Sequence, residues 1–182
     1  MKSIADYAAL TGAICLYGLQ SVAQTAPTAL QASVPAATLA GTARLTVWGV
    51  DVYNASLWVA PGFKASEFER HVFALELGYL RDFTSEAIAR RSLDEMRRLG
   101  PITDLQAQQW ERALRDAFPN VKAGDRIAGV NRPGIGAQFL TNGRPTGDIR
   151  DAGFARLFFG IWLLPDTPEP ALRRALLVQA AP

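Results

Sequence analysis

One histidine and one cysteine among 182 residues set a narrow limit on the chemistry available to this chain. His71 alone cannot assemble a zinc site of two or three His ligands, and a His-centred triad would rest wholly on it. It opens an expected strand beside Phe73, Leu75 and Leu77, so its plain reading is a strand-end histidine with no chemical role. The glycines of Pro133-Gly134-Ile135-Gly136 serve a turn and open no helix, which removes a phosphate loop. No metal and no cofactor is expected. What remains is one polar and aromatic sheet face. Strand alternation sets Thr42, Arg44, Thr46 and Trp48 on one face of one strand, and Val52, Asn54, Ser56 and Trp58 on one face of the next. Arginine, asparagine, serine and tryptophan together suit the wall of a ligand cleft better than a core wall. Arg44 either meets a ligand there or is a solvated sheet-face residue paired with a structural carboxylate such as Glu76.

The elements that must position these residues follow from periodicity and punctuation. Ala43 to Trp48 and Val50 to Val59 are rich in Val, Trp, Tyr and Thr, and the single Gly49 between them marks a bulge, a bend or a very tight turn. A third strand, Val72 to Leu80, alternates Phe73, Leu75, Leu77 and Tyr79 against Ala74, Glu76 and Gly78. Thr84 caps a helix running to about Leu99, with Ile88, Leu93 and Met96 as its apolar stripe, and Gly100-Pro101 stops it. Its pairs Arg90-Arg91 and Arg97-Arg98 read as a solvated basic face. Thr103 with Gln106 is a capping box for a second helix that ends at Pro119. Asp125 to Asn131, Gln138 to Thr141 and a strand reaching Ile149 make a meander whose last turn is Asn142-Gly143. Asp151 caps a third helix carrying Phe154, Leu157, Phe158, Ile161 and Trp162, and Thr167-Pro168 begins a short last one. The order β-β-β-α-α-β-β-β-α-α has no strand-helix-strand alternation. It predicts an α+β fold, an antiparallel sheet with helices packed on one face.

Charge and composition bound the function further. Nineteen Lys+Arg against 17 Asp+Glu leave a net charge of +2, too little for a nucleic-acid partner. A hydrophobic content of 49% supplies a core and excludes a disordered chain. The uncharged apolar run from Tyr7 to Leu19, ending in Ser21-Val22-Ala23, reads as a secretory signal peptide over residues 1–23, cleaved after Ala23. At about 13 residues it is short for a membrane span of roughly 20. Cleavage removes Cys15 and leaves an exported, periplasmic protein without disulfides. Residues 24–38, made of Ala, Thr, Pro and Ser without charge, read as a flexible leader, and 39–182 as one domain. The oligomeric state is left open.

An ordered set of segments carries a resemblance. Arg44 lies in the first strand, followed by Val52-Tyr53-Asn54-Ala55-Ser56-Leu57-Trp58 and Phe73-Ala74-Leu75-Glu76-Leu77. Then come Phe118-Pro119, Lys122-Ala123-Gly124-Asp125-Arg126-Ile127, Asn142-Gly143, Phe159-Gly160-Ile161-Trp162-Leu163 and Leu172-Arg173-Arg174-Ala175-Leu176-Leu177. Together they resemble the bacterial branch of the chalcone isomerase-like family. That resemblance implies an open-faced β-sandwich, a curved antiparallel sheet with helices on one side and a ligand cleft between. It also implies that Arg44 matches the arginine that stabilises the developing enolate in the plant enzymes, where a guanidinium fork in a dry cleft suits a carboxylate or enolate. The plant tyrosine and asparagine that orient a water and the substrate ketone are replaced here by Thr84 and Arg91, and the assisting threonine by Asn54. The isomerase reaction is therefore not expected. Fatty-acid binding among plant relatives of the fold makes a small hydrophobic or amphipathic ligand the expectation, with Arg44 at its acidic head and Trp48, Asn54, Trp58, Thr84 and Arg91 around it. The alternatives are an isomerase or lyase acting on an enone through Arg44, and a structural envelope protein without ligand.

Overall fold

Apolar alternation along the strands builds a sheet with two unlike faces. The computed structural model describes residues 24–180. Six strands, β1 (Thr38–Val47), β2 (Val50–Val59), β3 (Phe73–Tyr79), β4 (Arg126–Arg132), β5 (Gly136–Thr141) and β6 (Arg144–Ile149), pair antiparallel in sequence order. Leu57, Leu75, Leu77, Ile127 and Phe139 point to one face and enter the main core. Register holds because a slip of one residue would turn this whole set to the other side. Bulges between Leu39 and Gly41 and between Leu45 and Thr46 bend the edge strand β1.

The helices cover that apolar face. Four of them, α2 (Ser85–Leu99), α3 (Asp104–Ala117), α4 (Ala152–Leu163) and α5 (Pro170–Leu176), do so, with α4 against β5, α3 against β6 and α5 against β1. Caps fix where they begin. Thr84 Oγ1 accepts from Ala87 N–H at 3.2 Å, and Thr103 and Gln106 form the reciprocal capping box. Asp151 accepts from Phe154 N–H at 3.0 Å and, with its other oxygen, from the Trp110 indole at 3.0 Å, which ties α3 to α4. Helix α4 is buried on nearly all sides, and its Phe154, Phe158, Phe159 and Trp162 form the aromatic centre of the core. Gly41 is required where α5 meets β1, because a Cβ there would sit 2.2 Å from the Ala175 carbonyl oxygen.

Two expectations are corrected. Residues 24–38, expected as a flexible leader, are folded. Helix α1 (Thr28–Gln31) and the turn after it lay Ala26, Leu30, Val34 and Ala37 on the outer sheet face, over Trp58, Ala74, Ala128, Val130 and Leu140. Leu30 and Val34 stand one helical turn apart and close a second small core. The last helix begins at Pro170 instead of Pro168. Thr167 is instead a turn residue, its hydroxyl donating to the Ile161 carbonyl at 2.6 Å and accepting from Glu169 N–H at 3.2 Å. Asn142-Gly143 makes the β5–β6 hairpin as expected, with φ of 50° and 79°.

Candidate functional site

The main core does not close completely. Between the inner face of β1–β5 and helices α2 and α4 lies a cavity of about 380 Å³, within the range of small-molecule sites. Leu75, Leu77, Ile127 and Phe139 floor it, Phe83, Ala87 and Ile88 wall it from the start of α2, and Phe158, Ile161 and Trp162 roof it from α4. It is edged by Leu45, Val47 and Val52 of the first hairpin and by Pro168 and Glu169 before α5. Its polar groups are Tyr53 and Tyr79 on neighbouring strands, Arg91, Ser92 and Glu95 on one face of α2, and Glu169 at the edge.

Each polar group has a defined state. The Trp162 indole donates to the Tyr53 hydroxyl at 3.0 Å, which leaves the phenolic proton of Tyr53 free to donate onward. Tyr79 packs edge-on to Tyr53, ring centroids 6.3 Å apart, and its hydroxyl has no hydrogen-bond partner among the described residues. Burial pushes the Tyr53 phenol up to about 12, with the indole donation opposing, and pushes Tyr79 higher still. Both are neutral donors near pH 7 and not bases. Glu95 is buried, with its side chain only 6% exposed, and sits between two guanidiniums: Arg91 at 2.5 Å and Arg98 at 3.3 Å. The Arg91 contact is an ion pair and not a well-aimed hydrogen bond. Arg91 itself is 69% exposed at the rim, with donors to spare. The arrangement can seat an apolar body and offer several donors to one acceptor-bearing end.

The residues expected to form the site are mostly elsewhere. Of Arg44, Trp48, Asn54, Trp58, Thr84 and Arg91, only Arg91 lines the cavity. Arg44 and Asn54 lie on the opposite sheet face, where Arg44 donates to Asn54 at 2.9 Å and pairs with Asp51 at 2.8 Å. Thr46 also donates to Asp51, at 2.7 Å; this hydroxyl and then the Arg44 charge hold the Asp51 carboxyl below its ordinary range. Arg44 is thus the sheet-face arginine of the alternative reading, with Asp51 as its carboxylate in place of Glu76. Glu76 faces Arg126 at 4.0 Å. Trp58 is buried under residues 24–38, and Thr84 is spent as a cap. Trp48 points into solvent at 98% exposure. His71 packs against Phe63 at the approach to β3, its ring tilted by 59° with 5.6 Å between centroids. An enone chemistry run through Arg44 has no geometry behind it. Tyr53 and Glu95 were not singled out from the sequence, although Tyr53 lay within the segments that carried the resemblance, and Tyr79 and Trp162 were read as packing residues.

The sheet, the helices on one side and the cleft between them can be compared with known proteins. The sequence profile described as chalcone isomerase-like matches residues 20–178. The chain belongs to the chalcone isomerase-like family. A fatty-acid binding protein of Arabidopsis thaliana has a similar solved structure, with a TM-score of 0.61 and 14% identity over 78% of this chain and 86% of that one. At that identity the likeness establishes the fold. No curated sequence matches this chalcone isomerase-like chain. Among its described residues no helix is long and apolar enough to cross a membrane.

Proposed function

We propose that this chalcone isomerase-like protein binds a small amphipathic molecule without turning it over. The tail occupies the cavity between sheet and helices, and the head meets Tyr53, Tyr79, Arg91 and Ser92. The observation that carries this reading is a cavity of small-molecule size with a mostly apolar lining and a few polar groups, Tyr53, Tyr79, Arg91 and Ser92 among them. Absence of turnover is supported by the state of those groups. The two phenols are held neutral, and the Glu95 carboxylate is engaged by two arginines, so none of the three serves as a ready base. One protein of similar solved structure is a fatty-acid binding protein, which favours a carboxylate head. A guanidinium takes a carboxylate bidentately, and the role first expected of Arg44 passes to Arg91. Export to the periplasm completes the reading. The expected signal peptide lies outside the described residues. Leu39 N–H donates to the Gln24 carbonyl at 3.0 Å, which ties the chain to β1 from Gln24 onward.

The test is titration of the full chain with cis-parinaric acid, followed by competition with decanoic acid and decanol. Saturable binding, displaced more strongly by the acid than the alcohol and abolished in Ala87→Trp, is expected. No binding, or binding unchanged when Ala87→Trp fills the cavity, overturns the proposal. The mass of the protein recovered from an exported fraction tests cleavage after Ala23, and organic extraction of the same sample names what it carries.

A further inference from the structure

The β1–β2 hairpin ends in a tip that the fold does not need. Val47, Trp48 and Val50 are 39%, 98% and 38% exposed, three apolar side chains within four residues. Of the other exposed large apolar side chains, Leu105, Ile135 and Val178 are scattered along the chain. Trp48 and Gly49 both have positive φ, 49° and 79°, the pattern of a type I′ turn. The molecule makes the same turn at the β5–β6 hairpin, where φ values of 50° and 79° belong to Asn142 and Gly143. Asparagine suits that position and tryptophan does not, since a bulky residue is strained at positive φ. At the first hairpin a large aromatic is held in a strained conformation, in full contact with water, and packs on nothing.

Its surroundings point to what it meets. Val47 belongs to the tip and also edges the cavity, so the tip and the cavity mouth are continuous. Leu80, 36% exposed, donates its N–H to Val52 at 2.9 Å and extends the apolar patch onto the next strand. Beside it Arg81 is exposed and has no carboxylate within 4.0 Å among the described residues. Arg90, next to the mouth on α2, is likewise exposed and unpaired there. Arg44, Thr46 and Asp51 brace the base of the hairpin from the opposite face, which keeps the tip projecting. An indole at the end of a projecting loop, flanked by valines and with two exposed arginines, unpaired among the described residues, near the same mouth, has the composition of an interfacial anchor: aromatic rings settle at headgroup level and cations attract anionic lipid.

We propose that the Val47–Val50 tip docks this protein on an anionic lipid bilayer, with the cavity mouth turned toward the membrane. Docking requires no ligand in the cavity, so it can fail while probe binding survives, and the reverse.

The experiment is flotation of the full chain with vesicles of phosphatidylcholine plus phosphatidylglycerol, and with phosphatidylcholine alone. Trp58, Trp110 and Trp162 are buried, so the exposed emission belongs to Trp48. On the anionic vesicles the protein is expected to float, with a blue-shifted Trp48 emission that is quenched by brominated lipid. Trp48→Asn, which restores the turn residue used at the other hairpin, is expected to lose flotation while its melting temperature holds or rises. Arg81→Ala should weaken binding about fivefold on anionic vesicles only. Protein left in solution with both vesicles overturns the proposal, as does a Trp48→Asn variant that floats like the parent. A blue shift that grows with protein concentration without vesicles, together with a dimer in sedimentation, assigns the tip to a second copy and also overturns it.

Discussion

At the scale of single residues, the two arginines first set side by side separate cleanly. Arg44 is engaged by Asp51 and Asn54 on the outer face, and Arg91 stands at the cavity rim. Arg91→Ala is therefore expected to weaken decanoic acid binding about tenfold, the order of a lost charge-assisted hydrogen bond. Arg44→Ala should leave that affinity unchanged, and the competition titration reads both. Tyr79→Phe removes a donor that has no partner among the described residues, so it should lower affinity for the acid without lowering stability. Glu76 carries a prediction of a different kind. Partial burial pushes its carboxyl up from the ordinary range, with the Arg126 guanidinium opposing. The folded chain thus holds that proton to higher pH than the unfolded one, and stability falls as pH rises through the folded value. Glu76→Gln should raise the melting temperature at pH 8 and leave it unchanged below about pH 4. An equal gain at both ends would trace to packing of the amide and not to ionisation.

At the scale of elements, punctuation in the sequence was enough to place most of the chain. Thr84, Thr103 with Gln106, Asp151 and Asn142-Gly143 each act where their chemistry predicted. Residues 24–38 were not legible because their composition is that of a linker. The signal they do carry is short: Leu30 and Val34 four apart, and a large Trp58 on the outer face with nothing else to cover it. Leu30 is 2% exposed, so Leu30→Ala should cost about 2–4 kcal/mol in urea unfolding, where a flexible leader would cost nothing. The first hairpin gives the opposite sign. Trp48→Asn relieves a bulky residue at positive φ and should stabilise the fold by about 1 kcal/mol. Choosing the wrong face for the cleft had a physical cause. Alternation divides a strand into two sets but does not say which set the helices cover, and polar residues were taken to mark the cleft. The cleft here is a gap in the core, so its walls are the very residues, Leu75, Leu77 and Tyr79, whose spacing marks packing.

At the scale of the whole molecule, that gap sets the energetics of binding. A cavity lined by Leu, Ile and Phe leaves those side chains without partner atoms on one side, which costs dispersion and burial that a solid core would have. Whatever fills it returns that stability, whether it enters from solution or is built from the chain. Ligand at a hundredfold excess over its dissociation constant should add about 2.7 kcal/mol. For a domain of this size that is a rise in melting temperature of roughly 5–11 °C. Ala87→Trp places an indole in the same space from the first turns of α2, so the empty variant should already melt higher than the parent. Decanoic acid should then raise the parent and leave the variant where it is. If the acid raises both equally, it binds outside the cavity; if Ala87→Trp melts lower and still responds, the space is not the one the ligand uses. Thermal melts of the two proteins, with and without decanoic acid, therefore read the cavity as a site through its effect on the fold.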